Sequence, residues 1–600
     1  NYSASEPLAP ETTIVHDLDE YIEKLEEKLK SFQIKKSGSA SEKNIAELRA
    51  SISHECCSAA NWETGTYALT VPTGGGKTFA SLRFALEHAK YHANSESEKT
   101  QIIYVLPYTT IIEQNADEVR KTLNCSTNLL EHHSNVNFSD DEYNEEYKLL
   151  TERWDVPIIF TTQVQFLNTL IQGNGNSIRK LHTLANSVIV IDEIQTIPLK
   201  CTYLANAAFN TLSRYLNSTV ILCTATQPNL KELEVPVLLK DPGELTQDPT
   251  AAASAFKRME IVDATKDAGN SVESFIDWMD DLFLKQESIL IVMNTKNGVK
   301  SVFNKLREIN QTHSIYYLTT YLCPAHRKER IDEIREKLKS NIPLIVVSTN
   351  LIECGVDLSF RYVIRNLASL QSIIQSSGRG NRHGEHSISQ TYVVDIQESV
   401  SALKELIVGQ QCTMRLLSAF AQRPEDYDNT LLSQTAIDTY YDIFSAEARI
   451  KEKMGYPIES MSRNVPLQAY DLLAERNMNH KNLAWSKYKL TYSYPFKFVS
   501  QHFQVIDQNT SGIVVPFNEE AKNLQGLLMS KSVLLDDKQK IFRDIQKFMI
   551  NVYQSDLKKL IKKGDVSLVP WTEDLYILRE AAYSDDFGIH EEGTMDPAIY

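Results

Sequence analysis

Leu18, Ile22, Leu25, Leu29 and Phe32 recur at three- and four-residue intervals in "DLDEYIEKLEEKLKSF", which places them on one face of an amphipathic helix. The polar run "KKSGSASEKN" that follows reads as a linker. From Tyr67 the pattern changes to short, unbroken apolar runs separated by helical stretches: "YALTV", "QIIYVL", "PIIF", "SVIVID" and "TVILCTAT". After a connection rich in Pro, Asp and Ala, "LKDPGELTQDPTAAAS", the alternation resumes with "SILIVMN", "SIYYLTT", "IPLIVVST" and "YVIRNL". Runs with no polar alternation belong to strands buried on both faces, as in parallel sheets covered by crossover helices. Two α/β units in tandem are therefore expected. Beyond about Ser401 the pattern turns mostly helical, interrupted by an aromatic, lysine-rich stretch from Lys481 to Phe498, "KNLAWSKYKLTYSYPFKF".

Composition narrows the class. A chain of 600 residues exceeds a single core, and a prior of roughly 150 residues per domain suggests three or four units. An apolar fraction of 42% and a charged fraction of 23% are those of an ordinary globular protein. No run approaches the about 18 apolar residues of a membrane span, and the first residues lack a basic then apolar leader. The expectation is a cytoplasmic protein with no membrane partner. The eight cysteines are scattered without a CxxC pair that would seed a zinc or redox centre. A net charge of −16 argues against a surface coated in basic patches for duplex DNA. Much of that charge lies in residues 571–600, where Glu573, Asp574, Glu580, Asp585, Asp586, Glu591, Glu592 and Asp596 stand against Arg579. A locally basic channel elsewhere remains compatible with it.

Candidate chemistry sits at the ends of the apolar runs. In "YALTVPTGGGKT" a glycine loop follows a strand and precedes a helix, the context that makes a phosphate loop credible. Thr73, Gly74, Gly75 and Gly76 would let backbone amides approach phosphate oxygens, and the next helix adds the positive end of its dipole. Lys77 would reach the β and γ phosphates of ATP, and Thr78 would hold magnesium. The strict GxxxxGK[ST] pattern is broken at its first position, where Val71 stands. "VIVIDEIQ" delivers Asp192 and Glu193 at a strand end. Asp192 would hold the magnesium through water and Glu193 would orient the attacking water, because phosphoryl transfer needs mainly positioning and charge compensation. Thr224 and Thr226 in "LCTATQP" could couple the phosphate site to substrate or act only as caps. In the second unit "QSSGRGNR" supplies Gln375, Arg379 and Arg382. Read as helical, the two arginines face the same way and stabilise charge on the γ phosphate from across a cleft. Gly355 and Asp357 in "STNLIECGVDLSF" lie where a loop could meet nucleotide and nucleic acid.

The order of these motifs resembles superfamily-two helicases, whose ATP site lies between two RecA-like domains. Together "LTVPTGGGKT", "LPYTTIIEQN", "LEHHSN", "TTQVQFLNTL", "DEIQ", "LCTATQP", "LCPAHRKERI", "NLIECGVDLSF" and "QSSGRGNRHGE" resemble the CRISPR-associated effector helicase of type I systems, over roughly Arg49 to Gln390. The resemblance implies two tandem RecA-like parallel-sheet domains, 46–235 and 255–398, joined by a connection at 236–254. Before them lies an N-terminal helix and linker, 1–45; after them, 399–600, a linker and a mostly helical C-terminal accessory domain that closes over the DNA path. It further implies an ATP-driven translocase moving 3′ to 5′ on single-stranded DNA after recruitment by an RNA-guided surveillance complex.

Members of that family commonly carry an HD nuclease in which histidines and aspartates bind two transition metals. Here His16 and Asp17 form the one HD pair, and a solvated helix start accounts for them. The expectation is a helicase-only chain, or one that begins just after the nuclease, with a separate HD polypeptide as a possible partner. His132 and His133 are adjacent and so point apart on a strand, which favours a structural or DNA-facing role over chelation. The stretch from Trp485 to Phe498 could stack bases beside Lys481, Lys487, Lys489 and Lys497, but a half-buried strand is the favoured account. Two rival functions share the ATP motifs: a duplex RNA remodeller of the same superfamily, and an ATP-gated clamp that does not travel.

Overall fold

The computed structural model describes residues 17–34, 40–72, 74–125, 127–133, 150–247, 258–283, 287–309, 313–353, 356–382, 384–400, 403–447, 450, 453–458, 467–473, 495–506, 510–530 and 535–589. The described residues fall into two compact units. One joins those before Arg258 with Ser418–Ile506; the other joins Arg258–Leu417 with those after Ile506.

The first unit is built on six parallel strands: β1 (Thr66–Thr70), β2 (Gln101–Leu106), β3 (Leu129–His132), β4 (Ile158–Thr162), β5 (Ser187–Asp192) and β6 (Thr219–Thr224). They pair in the order β1-β6-β5-β2-β4-β3, all in parallel. Every residue of β1, β2 and β6 is buried, which is why these runs show no polar alternation. Helices α1 (Leu18–Ile34), α2 (Ala40–Ser58), α3 (Lys77–His92) and α4 (Thr109–Leu123) cover one face. There Leu18, Tyr21 and Leu25 of α1 join Phe84, Ile102, Tyr104 and Phe160 in one core, so the N-terminal amphipathic stripe is seated as its spacing requires. The opposite face packs Ile103, Phe166, Ile189, Phe209 and Leu222 against Tyr456, Leu472, Val499 and Phe503, contributed from far along the chain. A short antiparallel pair, β13 (Pro457–Ile458) with β14 (Leu467–Gln468), belongs to that later segment.

Part of the Pro-, Asp- and Ala-rich connection lies along the free edge of β1. The Ala68 amide donates to the Gly243 carbonyl at 2.8 Å and the Leu245 amide to Ala68 at 2.9 Å. The Glu244 carboxylate accepts from the Thr70 amide at 2.9 Å and its hydroxyl at 2.8 Å. These bonds occupy backbone groups that an edge strand would otherwise leave open.

The second unit repeats the plan with β7 (Met259–Asp263), β8 (Ile289–Val292), β9 (Ser314–Leu318), β10 (Leu344–Ser348), β11 (Tyr362–Asn366) and β12 (Ser389–Val394). Their order is β7-β12-β11-β8-β10-β9, again parallel throughout. Tandem parallel sheets were expected; β7 and β12, whose sequences "MEIVD" and "SQTYVV" break their apolar runs with polar residues, were not among the strands read.

The C-terminal third is mostly helical, as expected, and its described residues are divided between the two units. Residues 418–506 complete the first unit and those after 506 join the second, where β15 (Thr510–Val514), β16 (Met549–Tyr553), β17 (Val566–Leu568) and β18 (Leu575–Leu578) form a mixed sheet in the order β16-β15-β18-β17. Strands this short carry little periodic signal, and their apolar positions are claimed by neighbours remote in sequence. The hairpin β19 (Tyr583–Ser584) and β20 (Gly588–Ile589) follows; the Ile589 amide donates to the Tyr321 carbonyl at 3.1 Å, and the Phe587 ring packs edge-on against Phe303 and Tyr317.

Candidate functional site

At the C-terminal end of β1 the chain continues one residue further into the sheet, the Val71 amide donating to the Thr224 carbonyl at 3.0 Å. Val71 is fully buried, so the position that departs from the phosphate-loop pattern serves the core. The loop then turns tightly, with the Gly75 amide bonded to the Pro72 carbonyl at 2.9 Å. A Cβ at Gly75 would come within 2.5 Å of Val71 Cγ1, and Gly76, the residue that caps α3, has a φ of +85°. Both positions exclude larger residues, by close approach in one case and by backbone conformation in the other. Arg49 of α2 donates from Nε to the Gly74 carbonyl at 2.8 Å, anchoring the loop from outside the motif.

α3 begins at Lys77, whose ammonium meets Glu193 Oε1 in a short ion pair and lies 3.8 Å from Asp192 Oδ1. Burial by itself would favour neutral lysine, but the two carboxylates outweigh it and hold Lys77 above its ordinary range. Burial likewise pushes the Asp192 carboxyl up, against the opposing pull of Lys77 and with the Glu193 charge adding to the rise. The three side chains thus form a compact site in which one ammonium faces two carboxylates, and 14–17% of each remains exposed. Thr78, in the first turn of α3, and Asp192 offer a hydroxyl and a carboxylate, the hard oxygen donors that suit magnesium.

Glu193 adopts a left-handed conformation, φ 49° and ψ 55°, which for a non-glycine residue costs about 1–3 kcal/mol and persists only where the surroundings impose it. The surroundings are identifiable. The Gln163 side-chain amide donates to Thr196 Oγ1 at 2.9 Å and reaches the carbonyls of Asp192 at 3.2 Å and Glu193 at 3.3 Å. Thr196 in turn donates to the Glu193 carbonyl at 2.7 Å, and Gln195 Nε2 donates to Glu193 Oε2 at 2.5 Å. At the end of β6, Thr224 Oγ1 accepts from the Thr226 amide at 2.9 Å; the Thr226 hydroxyl lies 3.5 Å from the buried Tyr441 hydroxyl. Thr224 therefore caps its own turn.

In the second unit the arginines are not on a helix. The helix Leu370–Ser377 ends at Gly378, and the segment after it bridges back, the Phe360 amide donating to Arg379 and the Asn381 amide to Phe360, each at 2.9 Å. Helical spacing therefore does not set the directions of Arg379 and Arg382; this turn does. The Arg379 guanidinium donates to the carbonyls of Val356 at 2.6 Å and Glu353 at 2.5 Å. Its Nε and the Gln375 Nε2 are both buried and have no hydrogen-bond partner among the described residues. Arg382 pairs through Nε with Asp357 Oδ1 at 2.9 Å; burial lowers its pKa and Asp357 opposes the change.

Beneath these residues lies a fully buried ion pair. Arg365 of β11 meets Glu353 at 3.1 Å; the Glu353 carboxylate also accepts from Ser372 at 2.6 Å and Ser376 at 2.9 Å, both on the helix that carries Gln375. Arg365 donates to Asn294 Oδ1 at 2.8 Å, to Ser372 Oγ at 2.9 Å and to two carbonyls, those of Val292 and Asn366. Its charge is satisfied on all sides, as a buried guanidinium requires.

Of the residues expected from sequence, Gly74, Gly75, Gly76, Lys77, Thr78, Asp192 and Glu193 gather at one rim of the first sheet. Gln375, Arg379, Arg382 and Asp357 gather at the corresponding rim of the second. Thr73, Gly355, His16 and the stretch 481–494 lie outside the described residues. Asp17 accepts from Asn128 Nδ2 at 2.9 Å, tying the start of α1 to the loop before β3. His132 accepts from Trp154 Nε1 at 3.2 Å, and burial lowers its pKa to about 3. Among the described residues no three His, Cys, Asp or Glu side chains converge in a metal-binding group, and no helix is long and apolar enough to cross a membrane. Arg49, Gln163, Glu353 and Arg365 were missed; "TTQVQF" and "NLIECGVD" contain two of them, but nothing in either motif shows which residue turns inward.

Residues 50–233 match the family described as "DEAD/DEAH box helicase", and residues 285–385 match "CRISPR-associated nuclease/helicase Cas3, C-terminal". A "CRISPR-associated nuclease/helicase Cas3" from Haloferax volcanii is 26% identical over 419 residues, covering 53% of this chain and 44% of its own length. In both segments the chain is similar to Cas3-type helicases. Its fold agrees: the structure described as T. fusca Cas3-AMPPNP superposes with a TM-score of 0.61 at 15% identity, covering 90% of this chain and 69% of the other. A chain in a "CRISPR RNA-guided surveillance complex, pre-nicking" superposes with a TM-score of 0.54 at 15% identity, covering 88% of this chain and 66% of that one. The two parallel sheets are thus tandem RecA-like domains. The chain spans about half the length, or less, of the curated relatives it matches.

Proposed function

We propose that this chain is an ATP hydrolase that drives 3′ to 5′ movement on single-stranded DNA in type I CRISPR interference, after recruitment by an RNA-guided surveillance complex. The observation that carries the ATPase reading is the cluster of Lys77, Asp192 and Glu193 beside a glycine loop that leads directly into α3. In this reading Lys77 leaves its carboxylate partners to bind the β and γ phosphates, an exchange of one anion for another that keeps its charge compensated. Thr78 and Asp192 would hold magnesium, which supplies charge neutralisation at the phosphates when bound. Glu193, released from Lys77, orients water and accepts its proton, held in place by Gln195. Arg379 and Arg382 add positive charge to the γ phosphate in the reacting state; the unpartnered Nε of Arg379 and amide of Gln375 are donors available for that purpose.

The test is ATP turnover with and without single-stranded DNA, then displacement of a strand from a duplex with a 3′ loading tail, each beside Lys77→Ala. Stimulation by DNA together with tail-dependent displacement supports the reading. Stimulation by RNA alone points to an RNA remodeller, and DNA-stimulated turnover without displacement points to a clamp. Incubation with circular single-stranded DNA and manganese, nickel or cobalt tests the companion proposal that cutting belongs to an HD nuclease outside this chain. Metal-dependent nicking that follows the chain through purification overturns it.

A further inference from the structure

We infer that Gln163 is a positioning residue for hydrolysis, acting through the backbone of the Asp192–Glu193 turn; the inference rests on the ATPase reading above. Gln163 is the first residue of the helix Gln163–Ile171, and its side chain is buried, pointing inward below the carboxylate pair. The helix start itself is capped independently, Thr162 Oγ1 accepting from the Gln165 amide at 3.1 Å, so the Gln163 side chain is not needed to begin the helix. Its amide nitrogen instead spans the turn that follows β5, facing the carbonyls of Asp192 and Glu193 and the Thr196 hydroxyl. The chemistry fixes which end of the amide lies there. Two carbonyl oxygens require a donor, and the Thr196 hydroxyl at 3.2 Å stands beside Gln163 Oε1.

What the amide holds is a residue in an uncommon conformation. Glu193 is left-handed without being glycine, asparagine or aspartate, and its carboxylate reaches Lys77 only while that turn persists. Removing the amide would take a donor from the Asp192 carbonyl and leave the Glu193 carbonyl to Thr196 alone, whose amide and hydroxyl donate to it at 2.8 and 2.7 Å, so the turn would lose its tie to the helix and be freer to relax toward ordinary backbone angles. The phosphate loop would be undisturbed, because its own turn, Gly75 to Pro72, and its anchor, Arg49 to Gly74, are separate from Gln163. Turnover should therefore fall while nucleotide binding holds. A catalytic group displaced by about 1 Å can lose about 10²-fold in rate, which sets the scale expected. Gln163 also ties the first turn of its helix to the water-orienting residue, so any shift of that helix is transmitted to Glu193 directly.

Gln163→Met keeps the length and packing of the side chain and removes both hydrogen-bonding ends. The measurement is kcat and KM for ATP, with the Kd of a fluorescent ATP analogue and the thermal midpoint, for parent, Lys77→Ala and Gln163→Met. If the parent hydrolyses ATP no faster than Lys77→Ala, the ATPase reading falls and this inference with it. If the parent is active, a kcat lowered at least tenfold in Gln163→Met, with analogue Kd within twofold, supports the positioning role. A kcat within twofold of the parent overturns it while leaving the ATPase reading intact, and so does a proportionate loss of binding and turnover. Should Gln163→Met fail to fold, Thr196→Val decides: it removes the hydroxyl that shares the network, and an unchanged kcat overturns the inference whereas a lowered kcat at constant Kd supports it.

Discussion

The charged centres of the two units are assembled in opposite ways. Beside the glycine loop, Lys77 faces Asp192 and Glu193 at a partly open rim, and in the proposed ATP site phosphate would take the place of those partners. In the second unit the paired charges that matter most to shape, Arg365 and Glu353, are sealed inside, bound to serines, an asparagine and backbone carbonyls. Arg379 is held from below by that arrangement, its terminal nitrogens spent on the carbonyls of Glu353 and Val356. The first unit keeps its charges at a partly open rim; the second uses buried charge as a frame, with the buried Arg379 Nε and Gln375 Nε2 left as donors above it. The difference teaches that a charged residue's exposure and the replaceability of its partners, more than its presence in a motif, separate a reacting group from a supporting one.

The comparison breaks most sharply at Lys77. Lys77→Ala should lower ATP turnover by roughly 10²–10³-fold, as loss of a preorganised charge does, and retain the fold, because burial already raises Asp192 toward protonation and the carboxylates can adjust. Parental turnover in that variant would show that the rim is not the reacting centre. Glu353→Gln should act conversely, on stability: leaving Arg365 charged and unpaired costs about 3–5 kcal/mol, read from the denaturant midpoint of the second unit. The double replacement Glu353→Leu with Arg365→Met should recover much of that loss. If Glu353→Gln is as stable as the parent, the frame argument fails.

Arg379→Ala sharpens the contrast between the frame and the donors it holds. Turnover should fall by about 10²-fold with nucleotide affinity changed only a few-fold, as the proposed role of Arg379 in the reacting state requires. Equal weakening of both would make Arg379 a ground-state contact. The smallest effect is a dependence on pH that both units share. Burial lowers His88 to about 3 in the first unit and His326 to about 4 in the second, so below about pH 6.5 the unfolded chain binds protons that the folded chain refuses. Their contribution is complete above that pH and is lost as pH falls toward the folded values, on the order of 1–2 kcal/mol per group by pH 5. His88→Gln and His326→Gln should each flatten the slope of the thermal midpoint between pH 7 and 5; parallel slopes in parent and variants would remove the histidines from the account.

Much of this molecule is legible in its sequence. The runs "QIIYVL" and "SVIVID" are β2 and β5 to the residue, since a strand buried on both faces writes itself as unbroken apolar sequence. The loop and the Asp192–Glu193 pair were found because phosphate binding demands glycine and lysine at fixed local offsets. Reading failed where local period was absent or misapplied. β7 and β12 mix polar with apolar residues, and the arginines of "QSSGRGNR" were spaced as if helical although Gly378 ends the helix before them.

The sequence by itself determined which segments become buried strands, where the connecting helices fall and which short loops can receive phosphate, because these follow from neighbours within a few residues. Tertiary structure decided the rest. Gln163 meets a turn 29 residues away, Arg365 finds Glu353 from another element, and Phe503 closes a core whose sheet begins at Thr66. A buried glutamine, arginine or glutamate is stable only when its partners arrive from elsewhere in the chain, and no local pattern records where those partners will be.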